Sequence, residues 1–414
     1  MTNKLRFKLI VAAGALILAG SALAQVKIAF IEPLSGGGAT IGEHGLKQFQ
    51  FLVDDINAKG GVINGQKLEV VAYDNKGNPQ ESLVQVQKAI DAGVRFLTQG
   101  NGSGVAIAIS EFVSKYNERN PGKEVLYFNY SAIDPVLTND KCSYWHYRWD
   151  AGVDIKMAAL TNFIKEQKGV KKVYIIGQDY SFGQAVRETA NAMLKQKRPD
   201  IQIVGDELHP VLKITDFTPY IAKIKASGAD SVITGNWGND MSLLLKAAAD
   251  SGLQVNWYTY YAGAVGGPTA IKQTGLDHRV YEVVEWHANV PSREMDAFGD
   301  AFLKKYGGPG AHGWWYERLN NQMGMFVAAL NKAKSTEPKK VAAALADMKY
   351  KNILGTEVFM RASDHQLFQD LYIASFGSGT KRDEEKTGWG WKTISLIKAQ
   401  DTVVATTCKM VVPN

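Results

Sequence analysis

The chain alternates short β-rich runs with amphipathic helices, and it does so twice. In the first half, strand-like runs at 26–31 and 125–129 are separated by segments with helical spacing, such as 42–58. The pattern restarts after Arg148 with the apolar run at 171–177. Strands that alternate with helices form a mostly parallel sheet with helices on both faces. The sequence therefore predicts an α/β fold made of two doubly wound parallel-sheet lobes.

The first residues differ from the rest of the chain. Basic side chains precede an apolar core at 9–20, and an Ala-x-Ala pattern follows at 22–24. This order is typical of a secretory signal peptide, and the core is short for a membrane-spanning helix. We therefore expect residues 1–24 to be a signal peptide, cleavage before Gln25, and export of a soluble mature chain.

Composition and charge limit the possible partners. The sequence has 414 residues, 45% hydrophobic and 21% charged, which is enough for two compact domains. Without the three basic residues of the predicted signal peptide, the formal net charge falls from +6 to +3. The remaining basic residues are scattered rather than clustered. Nucleic acid is therefore not an expected partner.

Two cysteines, Cys142 and Cys408, are present in the sequence. Export would place them in an oxidising compartment, which favours a disulfide between them. The alternative is two separate buried thiols. A zinc site is not expected, because neither cysteine has a CxxC partner or a nearby pair of histidines. We expect neither a metal nor a cofactor.

A glycine-rich loop joins the predicted strand at 94–99 to the predicted helix at 103–118. Gly100 and Gly102 resemble the start of a dinucleotide-binding loop, but Val105 stands where the third glycine is needed. The loop also lacks the Lys-Ser/Thr pair of a phosphate-binding P-loop, and the sequence contains neither HExxH nor GxSxG. We therefore expect a protein that is not an enzyme, with a dispersed active site as the alternative.

Several short segments in the first 252 residues follow one another in a familiar order. They are KIAFIEPLSG at 27–36, DDINAKGG at 54–61, SAIDP at 131–135, KVYII at 172–176, YSFGQ at 180–184 and IKASGAD at 224–230. This series resembles the periplasmic leucine/isoleucine/valine-type binding proteins of ABC transporters. The combination is specific for that family but not for one ligand.

The resemblance implies the type I periplasmic binding protein fold, with two lobes joined by three crossovers near 148, 284 and 354. The implied N-terminal lobe comprises 25–148 plus 285–354, and the C-terminal lobe 149–284 plus 355–414. It also implies that the lobes close on a small-molecule ligand in the periplasm by hinge motion and deliver it to an inner-membrane ABC permease. We expect the protein to be a monomer.

In family members that bind α-amino acids, two loops hold the ligand carboxylate. The resemblance places five residues of this chain in those loops: Asn101, Ser103, Gly104, Ser131 and Ile133. Backbone N–H groups at a helix start favour an anion, and the Ser103 hydroxyl adds a donor. Alternatively, Ser103 serves only as a helix N-cap. Ile133 departs from the family, which has a threonine at this position.

The amino group of an amino acid needs an acidic partner, and the resemblance places that partner near Tyr261. No acid lies between Asn256 and Asp277. Burying an ammonium group without a countercharge is costly. The sequence therefore favours a ligand without an amino group.

Aromatic residues surround the position of the missing acid. Phe182, with Tyr180 nearby, and Trp237 follow predicted strands at the edge where clefts of this fold lie. Ile41 is a candidate for the facing wall. Alternatively, the rings pack in the core or the hinge. We expect the ligand to be a small organic acid, in particular an aromatic carboxylate, with a branched-chain amino acid, an amide or a urea-like compound as alternatives.

Overall fold

The computed structural model describes residues 25–307 and 316–413. The predicted signal peptide at 1–24 lies outside these residues. Strands and helices alternate along the described chain, and the predicted α/β class with parallel sheets is confirmed. Within the described ranges, no helix combines the length and apolar character needed to cross a bilayer.

The secondary structure follows chain order. The strands are β1 (Val26–Glu32), β2 (Leu68–Asp74), β3 (Phe96–Gln99), β4 (Leu126–Asn129), β5 (His146–Arg148), β6 (Lys172–Gln178), β7 (Gln202–His209), β8 (Ser231–Thr234), β9 (Asn256–Thr259), β10 (Val280–Val284), β11 (Lys349–Lys351), β12 (Glu357–Met360), β13 (Leu367–Phe368), β14 (Leu371–Gly377) and β15 (Gly390–Ile397). The helices are α1 (Ala39–Ala58), α2 (Pro79–Asp91), α3 (Ser103–Arg119), α4 (Val153–Glu166), α5 (Ser181–Lys197), α6 (Thr218–Ala226), α7 (Asn239–Asp250), α8 (Gly267–Thr274), α9 (Arg293–Tyr306), α10 (Tyr316–Ala333) and α11 (Pro338–Leu345).

The first sheet has five parallel strands in the order β2-β1-β3-β4-β5. Its inner strands β1, β3 and β4 are almost entirely buried, as expected where helices cover both faces of a sheet. β1 lies directly beside β3, with Ile28 opposite Phe96 and Phe30 opposite Thr98. Glu32, the last residue of β1, is therefore carried to the loop that follows β3.

The second sheet has seven strands in the order β15-β14-β10-β9-β8-β6-β7. Strands β6 to β10 are parallel to one another, whereas β14 runs antiparallel to both β10 and β15. The loops after β6, β8 and β9 leave the same edge of the sheet. These loops bring Phe182, Trp237 and Tyr261 to that edge.

The chain passes from the first sheet to the second where β5 ends at Arg148, and it leaves the second sheet for α9 to α11 where β10 ends at Val284. Both points are close to predicted crossovers. Strands β11 to β13 form a small antiparallel sheet of their own. This sheet adjoins β5 through a bridge between Arg148 and Gln366. The assignment of residue ranges to the two lobes stays a prediction.

A disulfide joins Cys142 to Cys408, the pairing that the sequence favours, with the Cα atoms 5.7 Å apart. Nearby, the Thr406 hydroxyl donates to the carbonyl oxygen of Thr138 at 2.6 Å, and the Thr407 N–H donates to the Asn139 side chain at 2.9 Å. After β15 of the second sheet, the chain therefore returns to the segment between β4 and β5 of the first sheet.

Candidate functional site

A cavity lies between the carboxyl edges of the two sheets. The residues that line it come from α1 and the loops after β3, β4, β6, β8 and β9. They are Ile41, Gly100, Asn101, Gly102, Ser103, Ser131, Ala132, Ile133, Tyr180, Phe182, Trp237, Gly238 and Tyr261.

The structure brings together most of the residues that the sequence analysis singled out for ligand binding. Gly104 is not among the lining residues; it is the second residue of α3, one position beyond the lining. Among the described residues that line the cavity, none is Asp, Glu, Lys, Arg or His. The predicted residues that do line it are Ile41, Asn101, Ser103, Ser131, Ile133, Phe182, Trp237 and Tyr261.

The polar wall of the cavity is the start of α3. Gly102, not Ser103, is the N-cap, and its φ of 95° requires glycine. The first helical hydrogen bond runs from the Ala106 N–H to the Gly102 carbonyl at 3.1 Å, so the N–H groups of Ser103, Gly104 and Val105 precede the helical ladder. The alternative in which Ser103 is only an N-cap is therefore wrong. Its hydroxyl instead accepts a bond from the Asp134 N–H at 3.3 Å.

A buried carboxylate lies behind this wall. Glu32 accepts hydrogen bonds from the N–H of Gly100 at 2.5 Å, the Asn101 amide nitrogen at 2.8 Å and the Tyr130 hydroxyl at 2.6 Å. Its side chain is inaccessible to solvent, and burial raises its pKa to about 7 against the opposing effect of those hydrogen bonds. Glu32 thus accepts hydrogen bonds from the first donors of the loop, those of Gly100 and Asn101, while the N–H groups at the start of α3 face the cavity.

The sequence analysis missed Glu32. The signal was an acidic residue closing an otherwise apolar strand, IAFIE at 28–32. A charge at the end of a parallel strand lies next to the loops of neighbouring strands, where it finds backbone donors. Its partner loop follows some 70 residues later and cannot be identified from local pattern alone.

The facing wall is aromatic. Phe182 lies in the first turn of α5, and a Cβ atom on Gly183 would overlap the carbonyl oxygen of Gln178, so glycine lets the helix start close to β6. The Phe182 ring centroid lies 5.7 Å from that of Tyr180 and 5.9 Å from that of Tyr261. These spacings are those of interacting aromatic pairs.

Trp237 completes the wall through a polar contact. Its indole N–H donates to the Tyr180 hydroxyl at 2.8 Å. Both side chains are half-buried. The bond joins the loop after β6 to the loop after β8, so the two rings hold each other in place.

Tyr261 connects the cavity to the crossover after β5. Its hydroxyl lies 3.1 Å from the Asp150 carboxylate and 3.3 Å from the Ser131 carbonyl oxygen. The prediction that no acid is present holds for the segment around Tyr261 but misses Asp150, which comes from more than a hundred residues earlier. Asp150 does not line the cavity.

Asp150 belongs to a buried cluster of four charges. Lys156 Nζ lies 2.8 Å from both the Asp150 and the Glu285 carboxylates, and Arg318 lies 2.8 Å from Glu285 and 3.5 Å from Asp150. All four side chains are at most 2% exposed. Burial raises the pKa of Asp150 to about 7. Although burial opposes it, the charges of Arg318 and Lys156 hold the pKa of Glu285 below its usual value. The charge of Asp150 is thus already compensated.

Comparison with known proteins defines the class. The sequence profile described as periplasmic binding protein matches residues 25–381, and the chain belongs to this family. The family consists of binding proteins, so the expectation that the chain is not an enzyme is confirmed. Among the described residues, no group of three or more His, Cys, Asp and Glu side chains is placed to hold a metal ion.

The resemblance to leucine/isoleucine/valine-type proteins is also confirmed. The chain is 33% identical over 420 residues to Leu/Ile/Val-binding protein homolog 4 of Brucella melitensis, covering 98% of both chains. It is similar to the closed leucine-, isoleucine-, valine-, threonine- and alanine-binding protein of Brucella ovis, with 30% identity, a TM-score of 0.83, and coverage of 94% of this chain and 100% of that one.

A solved structure of lower sequence identity shares the fold. It is a solute-binding protein of an ABC transporter from Rhodopseudomonas palustris BisB5, solved in complex with 3,4-dihydroxybenzoic acid. The identity is 18%, the TM-score is 0.78, and the match covers 91% of this chain and 98% of that one. At this identity the likeness shows the fold alone.

Proposed function

We propose that this protein is the periplasmic solute-binding component of an ABC importer and that it captures a small aromatic carboxylate between its lobes. The observation that carries the proposal is the composition of the cavity. One wall offers backbone and hydroxyl donors, the other offers aromatic rings, and none of the described lining residues is charged. Apolar walls with a few placed polar groups are typical of sites for small organic ligands.

The carboxylate of the ligand binds at the start of α3. The N–H groups there precede the helical hydrogen bonds and lie at the positive end of the helix dipole. The Ser103 and Ser131 hydroxyls add neutral donors from two loops of the first sheet. Because Glu32 already accepts from the Gly100 and Asn101 donors, the donors of this loop that remain for the ligand are those at the start of α3.

An α-ammonium group would lack a free countercharge in this cavity. The acid nearest to Tyr261 is Asp150, and its charge is compensated by Lys156 and Arg318. Placing an ammonium group against neutral walls would carry a desolvation cost without an ion pair to offset it. This argument favours an acid that has no amino group.

A ring fits this composition because the aromatic wall, which includes Phe182 and Trp237, lies across the cavity from the donors at the start of α3. A benzoate-like acid would place its ring against the aromatic wall while its carboxylate reaches α3.

Isothermal titration of the purified protein tests the proposal. Benzoate and its hydroxylated derivatives should bind with one-to-one stoichiometry, and leucine, valine, acetamide and urea should give no heat. Benzyl alcohol is the matched control, because it keeps the ring and lacks the carboxylate. Tight binding of leucine or valine with no response to aromatic acids would refute the aromatic assignment.

A branched-chain amino acid is the second candidate, since the relatives with 30% identity or more carry leucine, isoleucine and valine in their names. Ile41 and Ile133 provide apolar contacts suited to such a side chain. The same titration separates the two candidates. The amide and urea ligands are outcomes of that experiment as well.

The proposed transport role also implies a periplasmic location and a partner protein. Export depends on the signal peptide expected at 1–24, and delivery requires an inner-membrane ABC permease. Osmotic-shock fractionation should release the protein in processed form beginning at Gln25, and gel filtration should give a monomer. An unprocessed protein retained with the cells would contradict the periplasmic assignment.

A further inference from the structure

We infer that Tyr180 is a specificity-determining residue that donates a hydrogen bond to an acceptor substituent on the ligand ring. This inference rests on the proposed function, because it concerns the part of an aromatic acid that lies away from the carboxylate. It narrows the substrate class to aromatic acids bearing a hydroxyl, methoxyl, carbonyl or similar oxygen on the ring.

The argument starts from the hydrogen bond between Trp237 and Tyr180. An indole N–H is only a donor, so the Tyr180 hydroxyl oxygen must be the acceptor in this 2.8 Å contact. Its own hydrogen is therefore left to bond elsewhere. Within the described parts of the chain, the structure gives no acceptor for that hydrogen.

The position of Tyr180 directs this donor toward the ligand. The side chain lines the cavity, and it follows β6 of the second sheet, whereas the carboxylate-binding donors of α3 follow β3 of the first sheet. Two donor groups thus approach one small cavity from opposite sheets. A ring held between them presents its carboxylate to one and a substituent to the other.

Two further observations support the donor role. Burial raises the pKa of the Tyr180 hydroxyl, so the group keeps its hydrogen throughout the physiological pH range. The bond from Trp237 fixes which side of the oxygen accepts, which orients the remaining O–H before a ligand arrives. A preoriented donor loses little entropy on binding.

An unsubstituted ring would leave this donor without a partner inside a closed cavity. Selectivity from one neutral hydrogen bond, including the cost of leaving it unmade, corresponds to roughly a fivefold to twentyfold difference in affinity. The wild-type protein should therefore bind at least one hydroxybenzoate isomer more tightly than benzoate by that factor.

The experiment measures Kd for benzoate and for 2-, 3- and 4-hydroxybenzoate on the wild type, Tyr180→Phe and Tyr116→Phe. Tyr180→Phe should lose the preference for the hydroxylated isomer. Because the variant also removes the acceptor for the Trp237 N–H, its affinity for all the acids is expected to fall, and the diagnostic quantity is the ratio of the Kd values for benzoate and the hydroxylated isomer. Tyr116, half-buried on α3 and outside the cavity, is the matched control, and its variant should keep the preference. The melting temperature of each variant confirms that it is folded.

The results distinguish a failure of the role of Tyr180 from a failure of the proposed function. If benzoate and its hydroxylated isomers all bind the wild type equally, or if Tyr180→Phe keeps the preference, the role of Tyr180 is overturned while the aromatic assignment stands. If no aromatic acid binds, the proposed function and the role of Tyr180 are both overturned.

Discussion

The two walls of the cavity differ in what holds them in place. The wall from the first sheet is positioned by a buried charge, since Glu32 ties the loop after β3 to the end of β1. The wall from the second sheet is positioned by rings, because Phe182, Trp237 and Tyr261 contact neighbouring aromatic groups. The first wall can be disturbed by charge and pH, and the second by loss of apolar surface.

The largest expected effect comes from placing a negative charge on the polar wall. Ser103→Asp puts a carboxylate at the start of α3, where the ligand carboxylate is proposed to lie. Like charges at close range cost several kcal/mol, so affinity for any anionic ligand should fall by more than about a hundredfold. Titration calorimetry measures the change. Ser103→Asn, of equal size and no charge, is the control; equal loss in both variants would contradict an anion site.

The second largest effect is a pH dependence of stability, which we expect from the wall of the first sheet and not from the aromatic wall. The pKa of Glu32 is raised from 4.5 to about 7, so the folded chain holds this proton more tightly than the unfolded chain does. Stability should therefore fall as pH rises from 4.5 to about 7, by an amount on the order of 3 kcal/mol. Asp150 contributes in the same direction, with a pKa of about 7.

Glu32→Gln isolates the first of these contributions. The variant keeps an acceptor oxygen for the loop N–H groups and removes the charge. Urea denaturation at pH 4.5, 6 and 7.5 should show a smaller decrease in the free energy of unfolding for the variant than for the wild type. Identical pH dependence in both proteins would show that Glu32 does not titrate in this range. Trp237→Phe, on the aromatic wall, should leave the pH dependence unchanged.

The smallest effect concerns the aromatic wall itself. Trp237→Ala removes one ring from a wall that keeps Phe182 and Tyr261, so affinity for aromatic acids should fall by roughly tenfold. The ring is half-buried, so the melting temperature should change little. Phe112→Ala, on the half-buried face of α3 outside the cavity, controls for general loss of an aromatic group. An unchanged affinity would remove Trp237 from the site.

Local pattern predicted the alternation of strands and helices and the parallel sheets, but not the antiparallel β14 or the small sheet of β11 to β13. The resemblance to the leucine/isoleucine/valine-type family placed most of the predicted cavity residues. Parallel strands direct the following loops to one edge, which is why residues as far apart as Ser103 and Tyr261 line one cavity.

Contacts between segments that are far apart in the sequence could not be predicted from local pattern. Glu32 meets a loop 68 residues later, and Tyr261 meets Asp150 over 111 residues. A single sequence has periodicity but no record of which charged groups meet after folding. For this reason the prediction that no acid lies near Tyr261 considered only the neighbouring sequence. The carboxylate that Tyr261 contacts is that of Asp150, which follows β5.

The buried cluster of Asp150, Lys156, Glu285 and Arg318 restricts how the sequence of this protein can evolve. Removing one member of a buried ion pair costs about 3–5 kcal/mol, whereas replacing a whole set by well-packed apolar groups is often nearly neutral. Each of the four charges is thus stabilised by its oppositely charged partners, and replacing any one of them alone leaves a buried charge without full compensation. In a mutational scan selected only for folding, these four positions should tolerate fewer substitutions than the residues that line the cavity. Conservation of these four residues among related proteins would therefore reflect common descent and not a shared ligand.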